Sequence, residues 1–382
     1  MGKIQSYIQN KFKQNDEIEQ SFVLNPVDSI KPGEKIIEMK NLEIQFSVRK
    51  KVLTAIRNIS LDVYKGETLA IVGESGSGKS VLTKTIVGML EENGRVSNGE
   101  INYSGVDLAK FTKNKDWLKI RGKRVSMIFQ DPMTSLNPLR KIGSQISEVI
   151  RLHRGYDKHE AKAESIRLLQ RVGITDAEKR YNDYPFQYSG GMRQRVVIAI
   201  ALACRPDILI CDEPTTALDV TIQAQILDLI NDLKEEFGFT VIFITHDLGV
   251  VAEVASRVAV MYAGQIVEIG LANDIFYDPR HPYTWALLSS LPQLGQKNED
   301  LYSIFGTPPS LIQKVVGDAF AARNEYALKI DYIQEPPMFK ISDTHYAKTW
   351  LLDPRAPKVE RPAIVGEISK RVANIYSGGD EV

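Results

Sequence analysis

Residues 73–80 read Gly73-Glu74-Ser75-Gly76-Ser77-Gly78-Lys79-Ser80, and this octet constrains the chain more than any other stretch. It fits G-x-x-x-x-G-K-[ST], follows an apolar run over Thr68–Val72 and precedes a helical pattern that lasts to Leu90. In that order, successive backbone N–H groups can curl around phosphate oxygens. Gly73, Gly76 and Gly78 keep side chains out of the curl, with the small Ser75 among them. The helix behind the loop then points its free N–H groups and positive dipole end at the same anion. Lys79 is expected to reach the β- and γ-phosphates, and the Ser80 hydroxyl to ligate Mg²⁺. A merely tight strand-to-helix turn would leave the Lys-Ser pair unexplained, so the octet predicts a nucleotide site.

The chain around it is balanced. Its 382 residues carry 48 Lys+Arg and 48 Asp+Glu, a net charge of zero, with 43% hydrophobic and 25% charged residues. Those values lie near the globular average and exclude disorder, collagen and disulfide scaffolds. The length suggests two or three units. Zero net charge argues against a dedicated nucleic-acid binder. Cys204 and Cys211 suit a reducing compartment and cannot make a four-ligand zinc site alone. No run approaches the roughly 18 apolar residues of a membrane helix, and the start lacks the apolar core of a secretory signal. The expectation is a soluble cytosolic chain that would reach a membrane through a partner.

Residues 1–35 are polar and punctuated. Ile4, Ile8 and Phe12 recur at helical spacing beside Lys3, Lys11 and Lys13, which suits a short basic amphipathic helix on lipid headgroups. The plainer reading, a helix on its own protein or a frayed tail, is preferred. Residues 1–6 also fit a loose myristoylation pattern, too short to weigh. Strands are expected over 36–46, 52–63, Thr68–Val72 and 123–129, and helices within 141–173, where Ile142, Ile146 and Ile150, then Ile166, Leu169 and Val172, recur. The unalternating runs 208–211 and Thr240–Thr245 suit strands buried on both faces of a parallel sheet. Residues 258–262 and 265–269, around Ala263-Gly264, read as a hairpin. The main unit is therefore α/β.

Several chemical groups fall where such a sheet ends. Asp212-Glu213 closes the run 208–211, and strand C-terminal ends form the ligand crevice of α/β sheets. Asp212 could hold Mg²⁺, and Glu213 could polarise a water against the γ-phosphate. A lone Asp-Glu pair is more often a solvated acidic turn; the phosphate loop makes that the minor reading. A lone histidine is more often a surface or satisfied core residue, but His246 follows Thr240–Thr245 on the phosphate side, so a γ-phosphate contact is expected. Gln130 ends the strand 123–129 and could sense Mg²⁺ or water. Ser189 can cap an apolar helix, and Gly190-Gly191 leave its first amides open to an anion. A second anion-binding helix start in one phosphate-loop chain suggests two half-sites completed by another subunit.

Taken in order, the loop 73–80, Gln130, Ser189-Gly190-Gly191, Asp212-Glu213, Ala217-Leu218-Asp219 and His246 resemble the motif set of ATP-binding cassette (ABC) ATPases. The resemblance spans residues 36–270. It implies a P-loop fold with a parallel core sheet, an antiparallel β subdomain and a helical subdomain at about 141–190. It also implies that Phe46 stacks on adenine and that two such domains meet head to tail. Ser189, Gly190, Gly191 and Asp219 would then serve the partner's ATP. Lys79, Ser80, Gln130 and Asp212 would hold phosphate and Mg²⁺, with Glu213 as general base and His246 sensing the γ-phosphate. Tyr188 and Met192 stand where the family usually has Leu and Gln; the anion-binding Ser-Gly-Gly is intact.

Residues 130–138, His281-Pro282-Tyr283-Thr284 and the tail to about Asp353 further resemble the oligopeptide/dipeptide permease ATPase subfamily. That resemblance implies a peptide importer with a second, usually different, ATPase chain, two membrane permease subunits and an extracytoplasmic peptide-binding protein. The motor would sit peripherally on the cytoplasmic side of the membrane, with the loop after Gln130 contacting a permease coupling helix. The family tail often holds an iron–sulfur cluster on four cysteines; here Asp318, Asn324, Asp331 and Thr349 occupy those places. Thiolates hold such clusters, so the expectation is a metal-free tail folded by its own packing. The chain divides into a leader (1–35), an ATPase domain (36–270) and a C-terminal extension (271–382). Rival readings are a soluble ABC ATPase acting on nucleic acid or ribosomes, and a P-loop ATPase working alone. One cassette, no long heptad insertion and two cysteines weigh against the first, and the Ser-Gly-Gly segment against the second.

Overall fold

The computed structural model describes residues 30–130, 135–216, 218–290, 304–363 and 365–366. The proposed leader helix, the loop residues 131–134 and Ala217 lie outside them. Strands β1 (Lys35–Val48) and β2 (Lys51–Tyr64) bury largely alternate side chains, as period-2 patterning requires. They pair antiparallel through Arg49 and Lys50, both at positive φ, the geometry of a tight hairpin turn. β3 (Thr68–Val72) then enters a second sheet and runs into the glycine loop and helix α1 (Lys79–Ile86). β4 (Gly94–Tyr103) and β5 (Val106–Asp107) return to the first sheet, whose order is β2-β1-β4-β5.

The second sheet continues with β6 (Val125–Ile128). The helices α2 (Ile142–Arg154), α3 (Lys158–Arg171) and α4 (Gly190–Leu202) follow. The α2 and α3 helices turn back at Gly155, in left-handed conformation, and α3 starts on a capping box in which Asp157 and Glu160 satisfy each other's backbone N–H. Ser147 and Ser165, 2.8 Å apart, join the two helices in their buried interface. After α4 come β7 (Ile208–Asp212), α5 (Val220–Phe237), β8 (Thr240–Thr245), α6 (Leu248–Val254), β9 (Arg257–Tyr262) and β10 (Gln265–Leu271). Every residue of β3, β7 and β8 is buried. Such strands need apolar cover on both faces, and separate hydrophobic clusters provide it.

With β11 (Phe339–Lys340) and β12 (Tyr346–Ala347) at one edge, the large sheet is ordered β11-β12-β10-β9-β3-β8-β7-β6. It is parallel from β9 to β6, as expected from the unalternating runs, and antiparallel beyond β9. Two of those antiparallel strands, β11 and β12, come from the tail. Helix α7 (Pro282–Ser289) and Phe320 share a core with Val72, Val258 and Tyr262. The described tail therefore does not fold by its own packing alone. It extends the ATPase sheet and shares its core, because short strands and single turns carry too little apolar surface to stand apart.

Candidate functional site

Five elements converge at the C-terminal ends of the parallel strands. β3 delivers the glycine loop, β6 Gln130, β7 Asp212-Glu213 and β8 His246, while β9 lies against the loop from the side. A Cβ on Gly73, whose φ is 150°, would lie 2.1 Å from the carbonyl oxygen of Met261 in β9. Glycine at this position therefore lets the loop press on its neighbouring strand. Gly78 caps α1 at φ 104° without a side-chain hydrogen bond, so no capping side chain claims the first amides of the helix. The loop thus fits a phosphate group: a cradle free of side chains, backed by a helix N-terminus.

Lys79 lies across the loop, its ammonium donating to the carbonyls of Gly73 (2.6 Å) and Glu74 (2.9 Å). Burial lowers its pKa, against the attraction of Glu213 and Asp212. The Ser80 hydroxyl donates to Asp212 Oδ1 at 3.1 Å. Burial raises the Asp212 pKa, with the Ser80 hydrogen bond opposing it. A buried carboxylate beside a hydroxyl is a hard oxygen pair, and that donor set fits Mg²⁺.

Glu213 sits at φ 48°, an uncommon conformation for a residue with a side chain, and its N–H is tied to the Ile244 carbonyl at 2.9 Å. Its carboxylate accepts from Gln130 Nε2 (2.9 Å) and Thr216 Oγ1 (3.1 Å), and meets His246 Nδ1 at 3.1 Å. Burial works against its ionisation. The His246 hydrogen bond and charge, Thr216 and Lys79 together outweigh that and hold its pKa below the usual value. At neutral pH the group is an ionised proton acceptor, and the His246 side chain facing it is 65% exposed.

Beside the loop lies a cavity of about 600 Å³ lined by Phe46, Ser75, Gly76, Gly78, Lys79, Ser80, Gln130 and Glu213. Phe46, packed against Gly94, lies with Val48 and Leu53 among its apolar lining. Ser189, Gly190, Gly191 and Asp219 do not line it. Ser189 caps α4, accepting from Met192 N–H at 3.3 Å, and Asp219 caps α5, accepting from Ile222 N–H at 3.0 Å. Ser189, Gly190 and Asp219 are exposed. The structure thus gathers the loop, Gln130, Asp212, Glu213 and His246 at one site and leaves the Ser-Gly-Gly group on a separate surface.

Sequence reasoning missed Thr216, which steadies Glu213, and Gln194, a fully buried side chain on α4 that donates to the Pro214 carbonyl at 2.7 Å. It also missed Pro309 and Leu311, which bring the tail into the cavity wall. Proximity to the Asp-Glu pair could have flagged Thr216; no local signal marks the others.

Residues 56–216 match the ABC transporter family, and residues 267–330 match the family described as oligopeptide/dipeptide transporter, C-terminal region. The oligopeptide transport ATP-binding protein AmiE of Streptococcus pneumoniae is 62% identical over 337 residues, 88% of this chain and 95% of the relative. The chain belongs to the oligopeptide/dipeptide family of ABC transporter ATP-binding subunits. This ATP-binding subunit is also 56% identical to the oligopeptide transport ATP-binding protein OppD of Bacillus subtilis, over 90% of this chain and 96% of that one. Among solved structures, the post-hydrolysis dimer of the ATP-binding cassette MJ0796 bound to ADP and Pi matches with a TM-score of 0.55 at 28% identity. That match covers 62% of this chain and 98% of the other. The cbiO1 protein of Clostridium perfringens matches with a TM-score of 0.56 at 27% identity, over 64% and 91% of the two chains. The ATPase subunit therefore has the ABC fold, with an antiparallel β subdomain, a mixed core sheet and the transporter-type C-terminal region. Among the described residues, no helix is long and apolar enough to cross a membrane.

Proposed function

We propose that this ATPase subunit powers uptake of oligopeptides, with hydrolysis at a site shared head to tail with a second ATPase subunit. The observation that carries the shared site is the separation of its two halves: the glycine loop and Glu213 line a cavity that Ser189, Gly190 and Gly191 do not. The exposed capped helix start at Ser189 has the chemistry of an anion site and would face the partner's ATP. Asp219 would face the same joint. Residues 36–270 would be the motor and 271–382 the extension, beneath two membrane permease subunits supplied by an extracytoplasmic peptide-binding protein. The partner ATPase would be a different chain, as the family usually has it. The place of work is the cytoplasmic face of the membrane, and no role on nucleic acid is proposed.

In this reading the loop amides and Lys79 orient the triphosphate, and Phe46 holds the base. Ser80, Gln130 and Asp212 would hold Mg²⁺, which when bound supplies positive charge against the phosphate oxygens. Glu213, ionised at neutral pH, takes the proton of the attacking water as its oxygen reaches the γ-phosphorus and ADP leaves. His246 keeps Glu213 in place and contacts the γ-phosphate. Glu213→Gln should bind ATP as the parent does while turnover in the assembled transporter falls by at least about a hundredfold. Normal turnover in that variant would refute the assignment.

The extension is proposed to carry no iron–sulfur cluster. Among the described residues no group of three or more His, Cys, Asp and Glu side chains is placed to hold a metal ion. Asp318, Asn324, Asp331 and Thr349 each accept a nearby backbone N–H, from Phe320, Tyr326, Leu328 and Leu351. Anaerobically purified protein should lack stoichiometric iron and the visible absorption of a cluster; finding either would sink the idea.

A further inference from the structure

Glu74 is the second residue of the glycine loop, and it is held by two residues of the C-terminal extension. Its N–H donates to the Tyr283 hydroxyl at 2.8 Å. Its carboxylate receives both arms of the Arg323 guanidinium, Nη1 to Oε2 at 2.7 Å and Nη2 to Oε1 at 2.9 Å. Its carbonyl accepts the Lys79 ammonium described above. Tyr283 and Arg323 lie 209 and 249 positions along the chain from Glu74. Neither is free to wander. The Tyr283 ring packs on Tyr262 and Phe320 at 4.6 and 5.3 Å, and the Arg323 side chain is 5% exposed. Its guanidinium also donates to the Phe305 carbonyl at 2.9 Å.

A carboxylate in a loop that must collect a triphosphate is an electrostatic liability, because like charges at loop distances repel. A bidentate Arg cancels that charge and fixes its direction together. We propose that Arg323 and Tyr283 are positioning residues of the phosphate loop, through which the C-terminal extension sets the affinity for ATP. The same extension contributes to the cavity wall at Leu311, whose carbonyl accepts the Thr54 N–H at 3.0 Å. A shift of the extension would therefore reach the nucleotide at both the loop and the wall. The inference rests on reading residues 73–80 as the triphosphate site.

The test is equilibrium binding of ATP and ADP to the full chain, with KM and kcat for ATP in the assembled transporter and a melting curve for each variant. Arg323→Gln bares the Glu74 carboxylate and should weaken ATP about tenfold, and ADP less, since ADP carries less charge. Glu74→Gln combined with Arg323→Gln removes the bare charge and should recover most of the loss, to within about threefold of the parent. Arg323→Lys should fall between, since it keeps charge and loses the fork. A merely structural Arg323 predicts equal losses for ATP and ADP and no recovery in the double variant; that result overturns the proposal. Should Arg323→Gln fail to fold, Tyr283→Phe decides. It deletes one hydroxyl, and should raise KM for ATP about threefold with kcat little changed, whereas an unchanged KM counts against the proposal. Lys79→Ala separates the two ideas. Intact ATP binding in that variant would overturn the site reading itself, while lost binding there beside parental binding in Arg323→Gln would overturn this inference alone.

Discussion

At the scale of single residues, the site is built on backbone conformations that most residues avoid. Gly73 and Gly78 take φ of 150° and 104°, and Glu213 holds φ 48° with a full side chain. A non-glycine residue in that region costs about 1–3 kcal/mol and persists where its surroundings hold it there. For Glu213 the hold is visible: the Ile244 carbonyl takes its N–H, and Gln130, Thr216 and His246 surround its carboxylate. For Gly73 the constraint is a close approach, because an added Cβ would meet the Met261 carbonyl oxygen, a backbone atom with little room to yield. Gly73→Ala should therefore cost about 1–3 kcal/mol in chemical denaturation and weaken ATP binding about tenfold or more. Parental affinity in that variant would mean β9 does not shape the loop. The glycines, Lys79 and Ser80 were legible in sequence because a phosphate cradle needs adjacent residues. Thr216 and Gln194 were not, since their partners are fixed by a turn and by helix packing.

At the scale of elements, runs such as Thr68–Val72 and Thr240–Thr245 were readable because full burial leaves no alternative to apolar residues. β4 was not anticipated. Its sequence GRVSNGEINY has two fully buried positions, Ile101 and Tyr103, and a glycine at φ 89°, so pairing with β1 rather than its own pattern makes it a strand. The extension is held by another logic, in which polar side chains close local turns. Asp318 accepts from Phe320 N–H, and burial, with the nearby Asp331 carboxylate adding to it, pushes its pKa up to about 6. Between about pH 4 and 6 the native chain thus keeps a proton that the unfolded chain has lost. Stability falls as pH rises through that window, and the loss is complete above it. Across that window the loss amounts to at most about 3 kcal/mol. Asp318→Asn keeps an oxygen acceptor without the charge. It should be more stable than the parent at pH 7.5, with the advantage gone at pH 4; equal stability at both would show that Asp318 ionises without penalty.

At the scale of the whole molecule, the exposed Ser189, Gly190 and Asp219 lie on a surface apart from the nucleotide cavity, with Val220, 83% exposed, beside Asp219. A Cβ on Gly190 would have a single neighbour at ordinary contact distance, so a side chain there need not disturb the subunit. Gly190→Asp should leave ATP binding by the isolated subunit unchanged, since it touches neither loop nor acids. An added negative charge facing a partner's triphosphate should cut turnover of the assembled transporter at least tenfold. Undiminished turnover would argue against a shared site. By itself the sequence determined the local motifs: the glycine loop, the paired acids and His246 just past strand ends, and, away from any strand, the capped helix start at Ser189. These are legible because each needs particular residue types at fixed short spacing. Tertiary structure alone decided that the extension joins the ATPase sheet, and that Arg323 and Tyr283 reach Glu74 across more than two hundred residues. Contacts of that kind require one charge or one hydroxyl at each end and impose no pattern on the chain between, so nothing local records them.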